Sequence, residues 1–309
     1  MRLILRALLV FVICALLALA SGALDPLHLN AASAPSASSR TGTLTFGGIA
    51  RSYRLYRPAD LPRRSPVPLV VVLHGGYGNG AGAEAGLHWD RAADAHGFVV
   101  LYPNGIFRAW NAGTCCGFPM RRQIDDLGFL TALIEQTTRD ENVDSKRVYA
   151  TGISNGAMMT YRLACESRLT LAAIGPVAGT FSVPCLHPKP TSVLAIHGLT
   201  DTRVPFNGGI GTGVDKTPRI SVPDVMARWR GVDSCAPPRV RDVPPVRYET
   251  SSCTGGRTVE LIAIAGAGHQ WPGSETPPPI AVSLIGLEQP SHALDATAVL
   301  WDFFASHHL

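Results

Sequence analysis

Continuous apolar runs alternate along the chain with segments whose apolar residues recur at helical spacing. Residues 68–73 (PLVVVL) are typical of a strand buried on both faces of a parallel sheet. Over residues 126–139 apolar side chains recur every three or four positions, which predicts a helix with one apolar face. The same patterns predict further strands at residues 41–46, 53–57, 98–102, 147–151, 171–177, 192–197 and 259–265, and further helices at residues 83–96, 154–165, 222–229 and 292–306.

The order of these elements predicts an α/β fold. The first two strands are joined at Gly47-Gly48 and are expected to form a hairpin. Thereafter strands and helices alternate, which is typical of a mostly parallel central sheet with helices on both faces. Residues 41–309 contain no internal repeat, so we expect a single domain. Two long loops, residues 105–123 and 203–220, follow strand ends where ligands bind in open α/β sheets, and they are expected to form pocket walls.

The first 40 residues have the composition of a targeting segment and a leader. In residues 1–20, Arg2 and Arg6 precede an apolar run that ends in Ala-Leu-Ala, which predicts a cleaved signal peptide. A retained membrane anchor is the alternative, but about 14 apolar residues are few for a membrane span. Residues 21–40 are rich in Ala, Ser and Pro without periodicity and predict a disordered leader. We therefore expect export to the periplasm or the cell exterior, with no membrane attachment after cleavage.

Composition and charge exclude several classes of protein. Charged residues make up 16% of the 309 residues, and 27 Lys+Arg against 23 Asp+Glu leave a net charge of +4. This charge is spread thinly, without the concentrated basic face that a nucleic-acid binder needs. A hydrophobic fraction of 46% with so little net charge also excludes intrinsic disorder of the whole chain. A soluble globular domain remains, which we interpret as a monomeric enzyme.

Six of the seven cysteines lie outside the predicted signal peptide: Cys115, Cys116, Cys165, Cys185, Cys235 and Cys253. An even number of cysteines in an exported chain indicates disulfides. Metal binding is the alternative, but no C-x-x-C or H-x-x-x-H spacing supports it. Pairing of sequence neighbours gives Cys165–Cys185 and Cys235–Cys253. Cys115 and Cys116 then pair with each other, or one of them captures a partner from another pair.

The sequence Gly-Ile-Ser-Asn-Gly around Ser154 lies between a predicted strand and a predicted helix. A nucleophilic serine needs such a tight turn so that its hydroxyl projects above the sheet. The glycines on both sides remove Cβ atoms that would collide with neighbouring backbone. A serine that merely caps the helix is the alternative. The strand–turn–helix context favours a catalytic Ser154.

A serine hydroxyl is not ionised at neutral pH, so it needs a general base and an acid that orients the base. In this kind of fold the acid and then the histidine follow the serine along the chain. His269 directly follows the last predicted strand, and Asp201 follows the strand at residues 192–197. The other candidates lie in turns, at a helix start, in the C-terminal tail or further along the chain: His187, His292, His307, His308, Asp215 and Asp224.

Backbone N–H groups near two strand ends are candidates for stabilising an oxyanion. Gly75 and Gly76 follow the strand at residues 68–73, and Asn155 follows the nucleophile. His74 and His197 end their strands in the same way, and we interpret both as structural hydrogen-bonding residues rather than as second bases.

Aromatic residues in the loops are candidates for binding the substrate. We assign this role to Tyr77, Trp110 and Trp271, although a loop tryptophan is also often a packing anchor. Asp125-Asp126 suggests paired carboxylates for acid–base chemistry or a metal, but capping of the following helix is the preferred interpretation. Phosphate-binding and dinucleotide-binding fingerprints are missing from the sequence. We expect no cofactor and no metal.

With these residues in place, the chain resembles the polyhydroxybutyrate depolymerase/feruloyl esterase family of secreted α/β-hydrolases from about residue 41 onward. The resemblance rests on LHGG (73–76), WNAGTCC (110–116), DDLGFL (125–130), GISNGAMM (152–159), HGLTD (197–201) and GHQWPG (268–273). It implies the α/β-hydrolase fold and ester hydrolysis with Ser154, Asp201 and His269 as the catalytic triad. It also implies substrates among polyhydroxyalkanoates, feruloyl or acetyl groups on plant polysaccharides, and small esters.

The leading hypothesis is a secreted serine ester hydrolase that forms an acyl-enzyme on short-chain, hydroxyalkanoate or aromatic esters. An adsorption module joined by a Thr/Ser/Gly-rich linker is not recognisable, which favours soluble esters over solid polymer. An acyltransferase on the same scaffold is an alternative, in which an alcohol replaces water as the acceptor. A non-catalytic surface-binding protein is a third hypothesis, and the intact Ser154, Asp201 and His269 set speaks against it.

Overall fold

One sheet of ten strands organises the part of the chain that the computed structural model describes, residues 39–186, 188–213, 215–276 and 288–309. The predicted signal peptide, the leader up to residue 38 and His187 lie outside these residues. The strands are β1 (Ser39–Phe46), β2 (Ile49–Tyr56), β3 (Val67–Leu73), β4 (Val99–Pro103), β5 (Val143–Ile153), β6 (Ala173–Val177), β7 (Ser192–Gly198), β8 (Arg239–Val243), β9 (Val246–Ser252) and β10 (Thr258–Ile264). The α-helices are α1 (Gly80–Gly86), α2 (Trp89–His96), α3 (Gly117–Arg121), α4 (Asp126–Asp140), α5 (Asn155–Glu166), α6 (Val222–Val232) and α7 (Ala296–Ala305), and Ile106–Arg108 and Thr254–Gly256 form 3-10 turns.

The centre of the sheet is parallel and its two edges are antiparallel. The strand order is β1-β2-β4-β3-β5-β6-β7-β10-β9-β8. Neighbours from β4 to β10 run parallel, while β1 and β2 at one edge and β9 and β8 at the other run antiparallel. The predicted mostly parallel sheet is confirmed. The first strand begins at Ser39, so the last two residues of the predicted leader belong to β1.

Two hydrophobic cores cover the two faces of the sheet. Along β3, Leu69 and Val71 point into one core and Val70 and Val72 into the other, and every residue of the strand is buried. Helices α4, α5 and α6 supply the first core, and α1, α2 and α7 supply the second. This two-sided burial explains why the strand is apolar without alternation. In the described part of the chain, no helix is both long and apolar enough to cross a membrane.

Two helices differ from the prediction because of local backbone chemistry. The single helix predicted at residues 83–96 is two helices, α1 and α2, separated at Leu87 and His88. His88 has a φ of 60°, which no right-handed helix accommodates. The closing helix begins at Ala296 rather than at residue 292. Its start is fixed by the side chain of Asp295, which accepts hydrogen bonds from two N–H groups of the first turn.

The hairpin of β8 and β9 was not predicted. Strand β8 is exposed at all five positions and consists of Arg, Asp and Val residues, so it lacks an apolar run. It forms the outer edge of the sheet and pairs only with β9 among the described strands. An edge strand packs little side-chain surface, and its sequence therefore carries little hydrophobic signal.

Three disulfides connect the six cysteines that follow the predicted signal peptide. They are Cys115–Cys116, Cys165–Cys185 and Cys235–Cys253, so the pairing of sequence neighbours is confirmed. The second ties the last turn of α5 to the segment before β7, and the third ties the end of α6 to the end of β9. Such bridges reduce the conformational freedom of the unfolded chain.

Candidate active site

Ser154 lies in the turn between β5 and α5 in a strained backbone conformation, with φ 58° and ψ −120°. Its N–H donates to the carbonyl of Val177, which fixes the turn to β6. A Cβ on Gly152 would lie 2.6 Å from the carbonyl oxygen of Leu73, and one on Gly156 would collide with the same oxygen. The two glycines therefore let the turn approach the end of β3, as the sequence predicts.

A cavity of about 460 Å³ opens beside Ser154. It joins the ends of β3, β5 and β7 to the two long loops that the sequence predicts as pocket walls. Six of the predicted site residues line it: Gly75, Gly76, Tyr77, Ser154, Asn155 and His269. The two predicted loops contribute Cys115, Cys116, Thr212, Asp215 and Arg219 to the lining, and α5 contributes Met158, none of which was singled out as a site residue.

Asp201 and His269 form a buried pair at the wall of this cavity. His269 Nδ1 lies 2.7 Å from Asp201 Oδ2, and the carboxylate side chain has no exposed surface. Burial would raise the pKa of the Asp201 carboxyl, but hydrogen bonds from His197 and His269 outweigh it and hold that pKa well below its usual range. An ionised carboxylate only accepts, so Nδ1 of His269 carries the proton and Nε2 presents its lone pair.

Four donors hold the Asp201 carboxylate in place. Its Oδ1 accepts the N–H groups of Arg203 and Val204 at 2.9 and 2.8 Å. Its Oδ2 faces His197 Nε2 at 3.3 Å in addition to His269. The same Nε2 lies 2.8 Å from the carbonyl oxygen of Val204, so it must be protonated. The interpretation of His197 as a structural hydrogen-bonding residue is consistent with these contacts.

His74 is a neutral structural residue at the end of β3. The N–H of Gly105 donates to its Nε2 at 3.0 Å, so Nδ1 carries the proton and donates to the Gly75 carbonyl at 2.8 Å. Burial lowers the pKa of His74 to about 4. Because both of its ring nitrogens are hydrogen-bonded, the neutral imidazole of His74 fixes the loop of Gly75 and Gly76.

Trp110 and Trp271 do not line the cavity, contrary to the prediction. Both are buried, with 0% and 1% of their surface exposed. Trp110 packs against His74 and donates from Nε1 to its carbonyl oxygen. Trp271 belongs to the core of α2 and α7, where it donates to Thr297. The indoles therefore anchor the loops, and Tyr77, which is 66% exposed, is the aromatic residue that faces the cavity.

An ion pair between Asp215 and Arg219 forms part of the cavity wall. Arg219 also donates to the hydroxyls of Thr114 and Ser182 at 3.0 and 3.1 Å, which joins three separate segments. From the sequence, Asp215 was considered only as an alternative acid for the triad. Its spacing of four residues from Arg219 does not indicate the pair, because that spacing brings side chains together on a helix and this segment is not helical.

The two carboxylates of Asp125-Asp126 have different partners. Asp125 accepts the N–H of Gly128 and caps α4, as the preferred interpretation states. Asp126 is completely buried and forms an ion pair with Arg51 at 2.6 Å. It also accepts the N–H of Asn111, which lies in the pocket-wall loop. This second role was not predicted.

In the described residues, one group of side chains has the proximity of a metal site. The sulfur atoms of Cys115 and Cys116 and a carboxylate oxygen of Asp215 lie within 4.8 Å of one another. The two sulfurs are joined in a disulfide, and a disulfide lacks the thiolate charge that makes cysteine a metal ligand. With the two cysteines oxidised to a disulfide, this group of side chains therefore does not fit a metal ion.

Comparison with known proteins identifies the family. Residues 51–186 match the family described as Esterase PHB depolymerase. NocK of Nocardia uniformis subsp. tsuyamanensis, which is named as an esterase, is 31% identical over 257 residues, which cover 76% of this chain and 74% of that protein. Feruloyl esterase C of Emericella nidulans is 31% identical over 201 residues, which cover 62% of this chain and 70% of that enzyme. Feruloyl esterase B of Piromyces equi is 28% identical over 225 residues, and the match covers 69% of this chain but only 41% of that enzyme.

Solved structures share the fold. An acetyl xylan esterase from Aspergillus awamori has a TM-score of 0.59 at 17% identity, covering 86% of this chain and 99% of its own. Esterase 2 of Thermogutta terrifontis has a TM-score of 0.56 at 12% identity, covering 88% of this chain and 96% of its own. Both are α/β-hydrolases, so the predicted fold is confirmed. The chain belongs to the esterase family of PHB depolymerases and feruloyl esterases, and it is a carboxylic ester hydrolase.

Proposed function

We propose that the protein hydrolyses esters through an acyl-enzyme on Ser154, with His269 as general base and Asp201 as the residue that orients it. The hydrogen bond between His269 Nδ1 and Asp201 Oδ2, 2.7 Å long at the cavity that Ser154 lines, carries this proposal. It presents the lone pair of Nε2, and a serine hydroxyl needs such a base to become a nucleophile.

The reaction proceeds in two displacements. Ser154 Oγ forms a bond to the carbonyl carbon of the ester while its proton passes to His269 Nε2, and the carbonyl electrons move to oxygen. When the intermediate collapses, the bond to the alcohol breaks and His269 returns the proton to the departing oxygen. Water then attacks the acyl-enzyme with the same base, which releases the acid and restores the serine.

Backbone N–H groups of Gly75, Gly76 and Asn155 are proposed to bind the oxyanion. The N–H groups of Tyr77 and Gly78 are already bonded, to the carbonyls of Arg108 and Gly75, so the two preceding glycines are the candidates in this loop. Asn155 is the first residue of α5, and an N–H there has no partner within its helix. Removal of one such donor costs about 100–1000-fold in kcat in serine hydrolases.

The proposed substrates are soluble short-chain, hydroxyalkanoate or aromatic esters. The relatives named feruloyl esterase support an aromatic acyl group, and the acetyl xylan esterase fold neighbour supports a short one. We also propose that the protein is exported, because its three disulfides are typical of an oxidising compartment.

The proposed nucleophile is tested by Ser154→Ala with Ser252→Ala, a replacement of an exposed serine on β9, as control. We expect Ser154→Ala to lower kcat for p-nitrophenyl acetate by on the order of 10⁴-fold or more. An organophosphonate should label the wild type and Ser252→Ala on the peptide that contains Ser154, and it should leave Ser154→Ala unlabelled. Full activity of Ser154→Ala, or labelling at another serine, would contradict the assignment.

A further inference from the structure

Side chains from other elements bond to every backbone polar group of Trp110 and Asn111. Trp110 N–H donates to Asn155 Oδ1 at 2.7 Å, and its carbonyl accepts from Asn155 Nδ2 at 3.0 Å. Asn111 N–H donates to Asp126 Oδ2 at 2.7 Å, and its carbonyl accepts from Arg162 Nη1 at 2.6 Å. Each of the four backbone polar groups of these two residues therefore has a side-chain partner outside the loop.

These two residues begin the loop that carries the Cys115–Cys116 disulfide, residues 110–116, here called the wall loop. The N–H of Cys116 donates to the Trp110 carbonyl at 3.0 Å, so the loop turns back on its own base. Both cysteines line the cavity of Ser154. A shift of Trp110 and Asn111 would consequently move the cavity wall.

The carboxylate of Asp126, which anchors the wall loop, costs free energy to bury. It is completely buried and needs the buried guanidinium of Arg51, 2.6 Å away, to balance its charge. Burial of an ion pair brings little net stability, because removal of both charges from water offsets their attraction. Its hydrogen bond to Asn111 therefore points to a role in geometry rather than in stability.

Asn155 connects the wall loop to the catalytic turn. It follows Ser154, and its side chain makes both hydrogen bonds to Trp110 while its backbone begins α5. Its Nδ2 also approaches Cys115 Sγ at 3.7 Å. The Asn155 side chain thus links the wall loop directly to the residue that follows the nucleophile.

We propose that Asp126, Arg162 and the Asn155 side chain are positioning residues that fix the wall loop and thereby set the size of acyl group that the cavity accepts. This inference rests on the proposed ester hydrolysis. Asp126 and Arg162 do not line the cavity and act only through Asn111. A wall held at four backbone groups cannot yield to a longer acyl chain, whereas a loosened wall can.

Two matched pairs of variants test the proposal. Arg162→Met removes the donor to the Asn111 carbonyl, and Glu166→Gln removes only the charge of the other partner of Arg162. Asp126→Asn removes the charge beside Arg51 and weakens the bond to Asn111. Asp125→Asn changes the neighbouring helix cap, which an amide oxygen also provides. The kcat and KM of p-nitrophenyl acetate and p-nitrophenyl hexanoate are measured for all four variants and the wild type.

We expect the wild type to prefer the acetate, because the fixed wall excludes the longer acyl chain. Arg162→Met and Asp126→Asn should raise kcat/KM for the hexanoate relative to the acetate by on the order of tenfold, chiefly through a lower KM for the hexanoate. Glu166→Gln and Asp125→Asn should keep the wild-type ratio. A purely structural role would lower the active fraction and reduce kcat for both esters equally, with KM and the ratio unchanged. An unchanged ratio in Arg162→Met and Asp126→Asn would therefore overturn the proposal.

Hydrogen–deuterium exchange of the peptide that contains residues 110–116 gives a readout independent of activity. Exchange should be faster in Arg162→Met and Asp126→Asn than in the wild type and the two controls. If the wild type hydrolyses no ester while exchange responds as expected, the proposed function is wrong but the positioning of the wall loop by these residues is supported. If exchange is the same in all proteins, the positioning role is overturned even when the wild type is an active esterase.

Discussion

At the scale of single residues, one carboxylate oxygen faces two imidazoles. Asp201 Oδ2 lies 2.7 Å from His269 Nδ1 and 3.3 Å from His197 Nε2. His197 also donates to the carbonyl of Val204, which belongs to the turn that carries Asp201. The second imidazole therefore holds the turn and the carboxylate together, although it lies outside the predicted triad.

We expect His197→Leu to lower the free energy of unfolding by about 1–3 kcal/mol, because it leaves the buried Val204 carbonyl without a donor. His197→Gln should lose less, since its amide can place an N–H near the position of Nε2. Urea unfolding of the wild type and both variants measures the difference. Equal stability of His197→Leu and His197→Gln would show that the hydrogen bond to Val204 contributes nothing.

At the scale of elements, the catalytic turn depends on the close approach of β5 and α5 to the end of β3. A Cβ on Gly156 would lie 2.6 Å from the carbonyl oxygen of His74 and closer still to that of Leu73. By contrast, Gly231 near the end of α6 has open space around it. The chain thus offers one glycine that the packing requires and one that it does not.

We expect Gly156→Ala to lower the free energy of unfolding by about 1–3 kcal/mol, because backbone oxygens cannot move away from the added methyl group as a side chain can. Gly231→Ala should be neutral or stabilise by up to about 1 kcal/mol, since alanine is the better helix former. Denaturant unfolding measures both. A Gly156→Ala protein as stable as Gly231→Ala would contradict the tight packing of the turn.

The elements that the sequence predicts well are those with strong hydrophobic signals. Strands β3 and β7 are buried along their whole length, and their apolar runs mark them clearly. Strand β8 is exposed throughout and was missed. The break between α1 and α2 was also missed, because a left-handed residue at His88 leaves no mark on hydrophobic spacing.

At the scale of the whole molecule, the topology explains why the candidate triad and the two wall-forming loops could be predicted, whereas the side-chain contacts that shape the cavity walls could not. Parallel strands bring their carboxyl ends to one edge, so residues that follow β5, β7 and β10 meet there. The walls instead depend on side chains that join distant segments, such as Arg219 with Thr114 and Ser182. A loop tryptophan is equally suited to a cavity or a core, and only packing decides between them.

Buried ionisable groups give the stability of the whole molecule a dependence on pH. Burial lowers the pKa of His74 to about 4, so protonation of His74 favours the unfolded chain as the pH falls from about 6.5 toward 4. Burial raises the pKa of Asp90 to about 7, even though Tyr102 donates a hydrogen bond to it. Asp90 therefore acts in the opposite direction, because the native protein keeps a proton that the unfolded chain releases between about pH 4 and 7.

We expect Asp90→Asn to separate the Asp90 contribution from the others. The amide is neutral at every pH and can still accept the hydrogen bond from Tyr102. At pH 4 both proteins carry a neutral group at this position, so their unfolding midpoints should be similar. As the pH rises from about 4 to about 7, the unfolded wild-type chain releases the Asp90 proton that the folded protein keeps, so the midpoint of Asp90→Asn should become progressively higher than that of the wild type, and the difference should level off above about pH 7. Comparison of the two proteins at each pH cancels the contribution of His74, and Asp60→Asn, at an exposed position, serves as the control. A difference between Asp90→Asn and the wild type that stays constant from pH 4 to pH 8 would show that Asp90 is ionised in the folded protein throughout this range.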